Sequence, residues 1–298
     1  MNPISLIKKI GFLPAFYKIK RRIFINDKSV LSDISILGAY DYMQKYKYAV
    51  KRPVAEPVAI STDNLYPNKI WTMWLQGVEN APEIIQKCIA SVKKQYGDEV
   101  IVLTNENISQ FVDIPYFVAQ KHKKGIISNT FYSDIIRFLI IEKYGGLWLD
   151  GTTFLLGKIP DYIRFADIFF YKAENKTLSS IGVIAAKPHN LLIQKAIAVM
   201  LEYWKNEKRL MSYTITTLSL EMAINSSAEM KNLWNSIPYV PVANKGLLLR
   251  KLFDKYDETH IEVMKQLSVI QQLSWKFPKK EYDKPGSFYD RLIKPTIV

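Results

Sequence analysis

Three charged residues in FYSDIIRFLIIEKYGGLWLDGTTF, residues 131–154, have types and spacing suited to chemistry. Asp134 and Arg137 are three residues apart, so on a helix their side chains lie on one face. Asp150 directly follows the apolar run LWL. A carboxylate can bind a hard divalent cation or accept bonds from sugar hydroxyls, and a guanidinium pairs with carboxylate or phosphate. Together these groups can bind a divalent cation, a diphosphate and sugar oxygens.

A plainer interpretation of Asp134 and Arg137 stays open beside this one. Oppositely charged residues at this spacing also form intrahelical ion pairs that only stabilise the helix. Taken alone, the two residues favour that structural interpretation.

The segments around Asp150 predict the elements that position it. KIWTMWL (69–75) and EVIVLT (99–104) are continuous apolar runs typical of buried parallel strands, and the helix between them is predicted to be capped by Asn80 and to end at Tyr96. A helix over 130–144 stops at the two glycines that precede the strand LWLD. In open α/β sheets ligands bind beyond the carboxyl ends of strands, so Asp150 lies where a site is expected.

The rest of the chain completes an α/β pattern. Further elements are predicted as a helix over 32–47 capped by Ser32, a short helix over 116–123, strands over 168–171 and 182–186, and helices over 190–205, 214–227 and 246–256. The sequence contains no internal repeat, which favours one domain with terminal additions.

Composition excludes several classes of protein. Of the 298 residues, 48% are apolar, which is too many for a disordered chain. The one Cys rules out an internal disulfide and a CxxC motif and favours the cytosolic side. The sequence contains no Walker loop, GxGxxG or GxSxG motif, so nothing in it supports a kinase, dehydrogenase or hydrolase.

The net charge of +13 is concentrated at the two ends of the chain. Residues 1–30 carry +6 and residues 271–298 carry +3, which leaves +4 for everything between. Residues 1–25 mix these cations with Ile, Leu and Phe, a composition suited to the surface of an anionic membrane. An ordinary packed helix with a solvated basic face and, less well, a nucleic-acid-binding segment are the alternatives.

The run over 131–154 resembles the sugar-binding region of glycosyltransferases that carry a DXD motif. Those enzymes have a helix with S-D-x-x-R, then Y-G-G, then an apolar strand that ends in Asp. WLQG, ENAPE and LTNENI within 74–108 make the resemblance strongest to the capsular polysaccharide synthesis type, a family 32-like, retaining group. It implies a GT-A fold, a nucleotide-sugar donor, usually a UDP-sugar, and a Mn²⁺ or Mg²⁺ ion.

The resemblance also implies roles for individual residues. Asp150 matches the first Asp of the DXD motif, whereas Thr152 stands where the second would be. Either Asp150 holds the metal with water and a distant ligand, or the metal dependence is weakened. Asp134 and Arg137 match donor-sugar contacts and are counted with Asp150 as catalytic. Trp74 and Trp148 match positions where these enzymes place aromatic side chains near the uracil. Further donor-binding candidates are Gln76, Ser133, Ser274, Trp275 and Lys276, with Gln271 as a second metal ligand and Ser180 and His189 as acceptor contacts.

These observations predict an α/β, GT-A type, Rossmann-like and mostly parallel sheet flanked by helices, with helical additions at both ends. Residues 1–67 would form a basic extension, 68–270 the catalytic domain and 271–298 a tail that closes over the site. The predicted function is glycosyl transfer to a lipid-linked oligosaccharide in capsular or surface polysaccharide synthesis, on the inner face of the cell membrane and without nucleic acid. A binding protein for an anionic glycan or nucleic acid is the alternative, favoured by the missing second Asp.

Overall fold

The computed structural model describes residues 28–51, 68–173 and 180–294. The predicted membrane-binding segment 1–25 lies outside the described residues. Backbone contacts group the chain into two units, the first from Met1–Ala59, Asp113–Leu139 and Leu191–Ser236, the second from Ile60–Val112, Ile140–Asn190 and Ile237–Val298. The partition into 1–67, 68–270 and 271–298 stays a prediction.

The strands are β1 Ile70–Met73, β2 Val100–Leu103, β3 Gly146–Leu149, β4 Thr153–Leu155, β5 Ile168–Tyr171, β6 Ser180–Ala186 and β7 Ile270–Gln272. The α-helices, numbered along the chain, are α1 Lys28–Met43, α2 Glu83–Tyr96, α3 Ile108–Phe111, α4 Tyr116–Lys123, α5 Asn129–Tyr144, α6 Asp161–Arg164, α7 Leu191–Asn206, α8 Ile215–Ile224, α9 Ala228–Ser236, α10 Leu247–Lys251, α11 Glu258–Leu267 and α12 Phe288–Leu292.

The second unit is built on a five-stranded sheet of order β2-β1-β3-β6-β5. Strand β1 pairs in parallel with both β2 and β3, whereas β6 is antiparallel to β3 and to β5. Four of the five strands therefore run in one direction and β6 runs against them. This mostly parallel sheet with helices confirms the predicted fold class.

Strand β3 is central because it carries the chain to Asp150. Trp148 pairs with Trp71 on one side and Ile184 on the other, and all three side chains are buried. Such burial on both faces explains the continuous apolar run in the sequence. The strand begins at Gly146, where a Cβ would lie 2.4 Å from the carbonyl oxygen of Lys69 and φ is +86°, so only glycine allows β1 and β3 to approach here.

A second sheet consists of the short strands β4 and β7, which pair antiparallel with Thr153 opposite Gln272. The Leu273 amide extends the pairing by donating to the Thr152 carbonyl at 2.8 Å. This ribbon was not predicted, because each strand is only three residues long. It brings the beginning of the basic tail beside the residues that follow Asp150.

Two predicted helix starts were wrong. Helix α2 begins at Glu83 after Pro82, and the Asn80 side chain donates to the Gln76 carbonyl instead of capping the helix. Helix α1 begins at Lys28, so Ser32 lies within it. The long helices predicted over 130–144 and 190–205 are confirmed within one residue at each end.

The first unit is held together around the carboxyl end of α7. The Glu207 carboxylate accepts hydrogen bonds from Tyr42 and Tyr46 and from the Lys45 ammonium. Lys121 on α4 donates to the Trp204 and Lys205 carbonyls in the last turn of α7 and to the Glu207 carbonyl just after it, where a cation also balances the helix dipole. Across the described ranges, none of the helices combines the length and apolarity that a bilayer crossing requires.

Candidate functional site

The Asp150 carboxylate directly follows β3 and is held by two N–H donors. The indole Nε1 of Trp148 donates to Oδ1 at 3.0 Å, and Nε2 of Gln272 donates to Oδ2 at 3.2 Å. The Asp150 amide donates to the Gly182 carbonyl at 2.9 Å, which joins this turn to β6. The carboxylate thus has a fixed orientation at the carboxyl end of β3.

A buried lysine extends this network. Lys245 is only 4% exposed. Its ammonium donates to Gln272 Oε1 and, at 2.6 Å, to the Ser180 hydroxyl. The ammonium also lies 5.9 Å from the ring centre of Tyr171. Burial raises the pKa of Tyr171 to about 12, so this neighbouring phenol is neutral at physiological pH.

Gly182 leaves the space that the network occupies. A Cβ at this position would lie 2.7 Å from Asp150 Oδ2 and 2.9 Å from Gln272 Nε2. A Cβ atom does not approach another heavy atom this closely, so any larger residue would displace the two groups. The glycine is therefore part of how the sequence builds the Asp150 environment.

The structure places Gln272, and not Gln271, beside Asp150. The Gln271 side chain is completely buried, with its Oε1 accepting from the Leu248 amide and its Nε2 donating to the carbonyls of Asn244 and Ser268. Neighbouring residues of a strand point to opposite faces, so only one of the two can reach the carboxylate. The side chain beside Asp150 is therefore that of Gln272 and not that of Gln271. The metal-binding role expected for Gln271 stays a prediction.

Aromatic side chains lie close to Gly151, the residue after Asp150. A Cβ at Gly151 would lie 3.5 Å from the Trp74 ring, and the rings of Trp74 and Trp275 meet edge to face with centroids 6.2 Å apart. Trp275 is 39% exposed, and the Lys276 ammonium lies 4.9 Å from its ring centre. These predicted donor-binding residues, with Ser274 before them, are gathered in the second unit.

Trp148 does not offer a surface for a nucleobase. Its ring is fully buried within the sheet, and its indole N–H is directed at Asp150. The side chain orients the carboxylate instead of stacking on a ligand. Gln76 is exposed in the same unit.

Asp134 and Arg137 lie on α5 in the first unit and form the intrahelical ion pair. Arg137 Nη2 is 3.1 Å from Asp134 Oδ1, and both side chains are less than one-tenth exposed. Thr216 donates to Asp134 Oδ2 at 2.8 Å, and Arg137 Nη2 donates to the Ser133 hydroxyl at 3.4 Å. The pair is therefore part of the packing of this unit, and the donor-sugar role of these residues stays a prediction.

His189 lies at the opposite edge of the sheet from Asp150. Strand β6 is antiparallel to β3 and ends with Ala186 opposite Gly146, so the residues after it follow the amino end of β3. His189 Nδ1 is 2.9 Å from Glu142 Oε1, and its amide donates to the Glu142 carbonyl at 2.7 Å. This geometry corrects the predicted acceptor contact to a structural histidine, whereas Ser180, at the other end of β6, belongs to the Asp150 network.

The network around Asp150 offers a divalent cation one carboxylate, that of Asp150 itself. In the described part of the chain, no group of three or more His, Cys, Asp or Glu side chains is arranged to hold a metal. Mg²⁺ is often bound by one or two carboxylates together with substrate phosphates and water. Asp150 therefore fits a cation that is shared with a phosphorylated ligand, and not one held by the protein alone.

Sequence reasoning missed Lys245, Gln272 and Gly182. Each is an ordinary residue in its local sequence and gains its significance from contacts with distant segments. The alternation of side chains along a strand separates Gln271 from Gln272, but only the register of the β4–β7 ribbon shows which one faces Asp150.

Fold and site together define an α/β protein with an anchored acidic residue at the carboxyl edge of its sheet. Residues 40–292 match the family described as capsular polysaccharide synthesis protein, and the chain belongs to that family.

Two curated relatives match parts of the chain. An O-glycosyltransferase, braB, from Annulohypoxylon truncatum is 22% identical over 156 residues, which cover 45% of this chain and 37% of that protein. An uncharacterized glycosyltransferase, L373, from Acanthamoeba polyphaga mimivirus is 26% identical over 132 residues, 42% of this chain and 52% of that protein. The chain thus spans about half or less of the curated relatives it matches.

Among solved structures, the PaToxG glycosyltransferase aligns over 93% of this chain and 96% of its own, with 16% identity and a TM-score of 0.37.

Proposed function

We propose that the protein is a glycosyltransferase of surface polysaccharide synthesis. It would move a sugar from a nucleotide-sugar donor, a UDP-sugar in the first instance, to a lipid-linked oligosaccharide. Membership of the capsular polysaccharide synthesis family and the glycosyltransferase names of the partial relatives support this proposal. The observation that carries it is the Asp150 carboxylate, oriented by Trp148 and Gln272 at the carboxyl end of β3.

The chemistry requires control of charge at the bond that breaks. As the anomeric bond to the donor breaks, the leaving diphosphate gains negative charge, and groups that balance this charge stabilise the transition state more than the ground state. Mn²⁺ or Mg²⁺, when bound with the donor, would supply such balancing charge. The protein contributes the Asp150 carboxylate, whose orientation is fixed by the two N–H donors.

In the second unit, nucleotide recognition is proposed for Trp74, Gln76, Trp275, Ser274 and Lys276. In the first unit, contact with the donor sugar stays the role expected of Asp134, Arg137 and Ser133. Asp134 can accept bonds from sugar hydroxyls, and the Arg137 guanidinium can donate to sugar or phosphate oxygens. The Trp275 ring is exposed and has the Lys276 ammonium near its centre, so it supplies an aromatic surface for a base.

Transfer is proposed to retain the anomeric configuration through attack from the face that the diphosphate leaves. The acceptor oxygen forms the new bond to the anomeric carbon, the bond to the phosphate oxygen breaks, and that phosphate oxygen takes the acceptor proton. Trapping a covalent glycosyl-enzyme would contradict this route.

Turnover of a donor panel tests the proposed function. Purified protein is incubated with individual nucleotide sugars and Mn²⁺, with and without lipid-linked acceptors, and release of free nucleotide is measured by mass spectrometry. We expect one donor class to be consumed. If no donor is consumed under any acceptor condition, while a glycan or nucleic acid binds, the chain is the binding protein that Thr152 in place of the second Asp would favour.

The basic amino terminus is proposed to keep the enzyme on the inner face of the cell membrane, beside its acceptor. Each Lys or Arg near an anionic surface contributes about 1 kcal/mol of attraction. Removal of residues 1–25 should release the protein from anionic liposomes in a sedimentation assay while donor hydrolysis persists. Equal liposome binding by the full and truncated chains would exclude this segment as the membrane contact.

A further inference from the structure

The Asp150 network contains a buried positive charge that no motif predicted. Lys245 is 4% exposed and donates to Gln272 Oε1, while Gln272 Nε2 donates to Asp150 Oδ2. One carboxamide thus links an ammonium to a carboxylate. Buried charges are rarely tolerated without a partner of opposite sign, so the two groups are best understood as one charge system.

Lys245 fixes which way the Gln272 carboxamide points. An ammonium has three donors and no acceptor, so it can bind only the amide oxygen. With the oxygen held, the NH₂ group must face Asp150, as the 3.2 Å bond shows. The Ser180 hydroxyl, 2.6 Å from the same ammonium, holds Lys245 from a second side.

The charge of this cluster differs from that of a site with two aspartates. Two carboxylates would carry two negative charges, attract a divalent cation and repel a diphosphate. Asp150 and Lys245 together carry no net charge. Because electrostatic interactions are strong where water is excluded, this difference should decide which ligand binds first.

We propose that Lys245 offsets the charge of Asp150, so that the site binds the nucleoside diphosphate before it binds the divalent cation. Lys245 is a positioning residue in this role, since it acts on the ligand through Gln272 and Asp150. The inference rests on the proposed function. It adds the order in which the nucleoside diphosphate and the cation bind, and it makes binding of the diphosphate partly independent of the metal.

Binding measurements without turnover test the inference. Isothermal titration calorimetry gives the affinity for UDP in EDTA and, separately, the affinity for Mn²⁺ in the absence of nucleotide. We expect the wild type to bind UDP in EDTA and to show no saturable binding of Mn²⁺ alone. Strong Mn²⁺ binding by the nucleotide-free wild type would overturn the proposed order.

Lys245→Met should move the two affinities in opposite directions. Removing the ammonium leaves the charge of Asp150 without its offset, so metal-free UDP affinity should fall about tenfold while Mn²⁺ affinity rises. A purely structural role would weaken UDP binding without producing saturable binding of Mn²⁺ alone. Lys251→Met, which removes an exposed lysine paired with Asp254 at 2.9 Å, is the control and should change neither affinity.

Gln272→Glu keeps the inference testable if Lys245→Met does not fold. The new carboxylate would pair with Lys245 and lie beside Asp150. The site would then contain two acidic groups. Saturable Mn²⁺ binding without nucleotide is expected, and its absence would contradict the charge argument. Donor consumption by the wild type, measured in parallel, separates this failure from a failure of the glycosyltransferase proposal itself.

Discussion

Asp150→Asn should lower the rate of donor consumption by about 10²- to 10³-fold, the loss typical when one preorganised electrostatic group is removed. Both oxygens of the carboxylate accept from N–H donors, Trp148 on one side and Gln272 on the other. An asparagine NH₂ would face a donor in either orientation, so one of these hydrogen bonds must be lost. The residue would also lose the negative charge that Lys245 balances.

The measurement is the initial rate of nucleotide release from the preferred donor, together with UDP affinity by calorimetry. Asp161→Asn, at an exposed carboxylate on α6, is the control and should retain the wild-type rate. If Asp150→Asn turned over donor at the wild-type rate, the Asp150 network would not be the reacting site.

Arg137→Met should lower the free energy of unfolding by about 3–5 kcal/mol, because it leaves the charge of the buried Asp134 without its partner. The two side chains are 6% and 9% exposed, and the charged atoms lie 3.1 Å apart. Thr216 alone cannot replace a cation, since its hydroxyl already donates to Asp134 Oδ2.

Urea unfolding of a double-mutant cycle isolates this interaction. Adding Asp134→Asn to Arg137→Met should recover part of the lost stability, with a coupling of about 0.5–3 kcal/mol. The exposed pair Lys251 and Asp254 has the same spacing, and Lys251→Met should cost no more than about 1 kcal/mol. Equal losses at the two pairs would show that burial does not strengthen the α5 pair.

The same variants test the donor-sugar role. Asp134→Asn preserves shape, so a stable variant with a raised KM for donor would support contact with the sugar. A variant that loses stability and keeps the wild-type KM would assign the pair to helix packing alone.

The sequence was most informative where one element follows another directly. The helix that stops at Gly145 and Gly146, the strand after it and Asp150 at its end were all predicted, because each depends on local pattern and on a backbone that needs glycine. The parallel strands β1 and β2 were predicted from continuous apolar runs for the same reason.

Long-range pairing could not be predicted in this way. Strands of three residues, as in β4 and β7, are too short to show periodicity. The contact of Lys245 with Gln272 depends on the register of that ribbon, and no local feature distinguishes Lys245 from the other lysines. Trp148 is a different case, since the apolar run around it already indicated burial on both faces, which a nucleobase platform does not allow.

The β4–β7 ribbon also has a consequence during protein synthesis. Gln272, which holds the Asp150 carboxylate, is made 122 residues after it. At about 5–20 residues per second, the ribosome reaches Gln272 roughly 6–24 s after Asp150. The strands of the main sheet are all synthesised by then, so the nascent chain can form its sheet before the carboxylate gains its full set of partners.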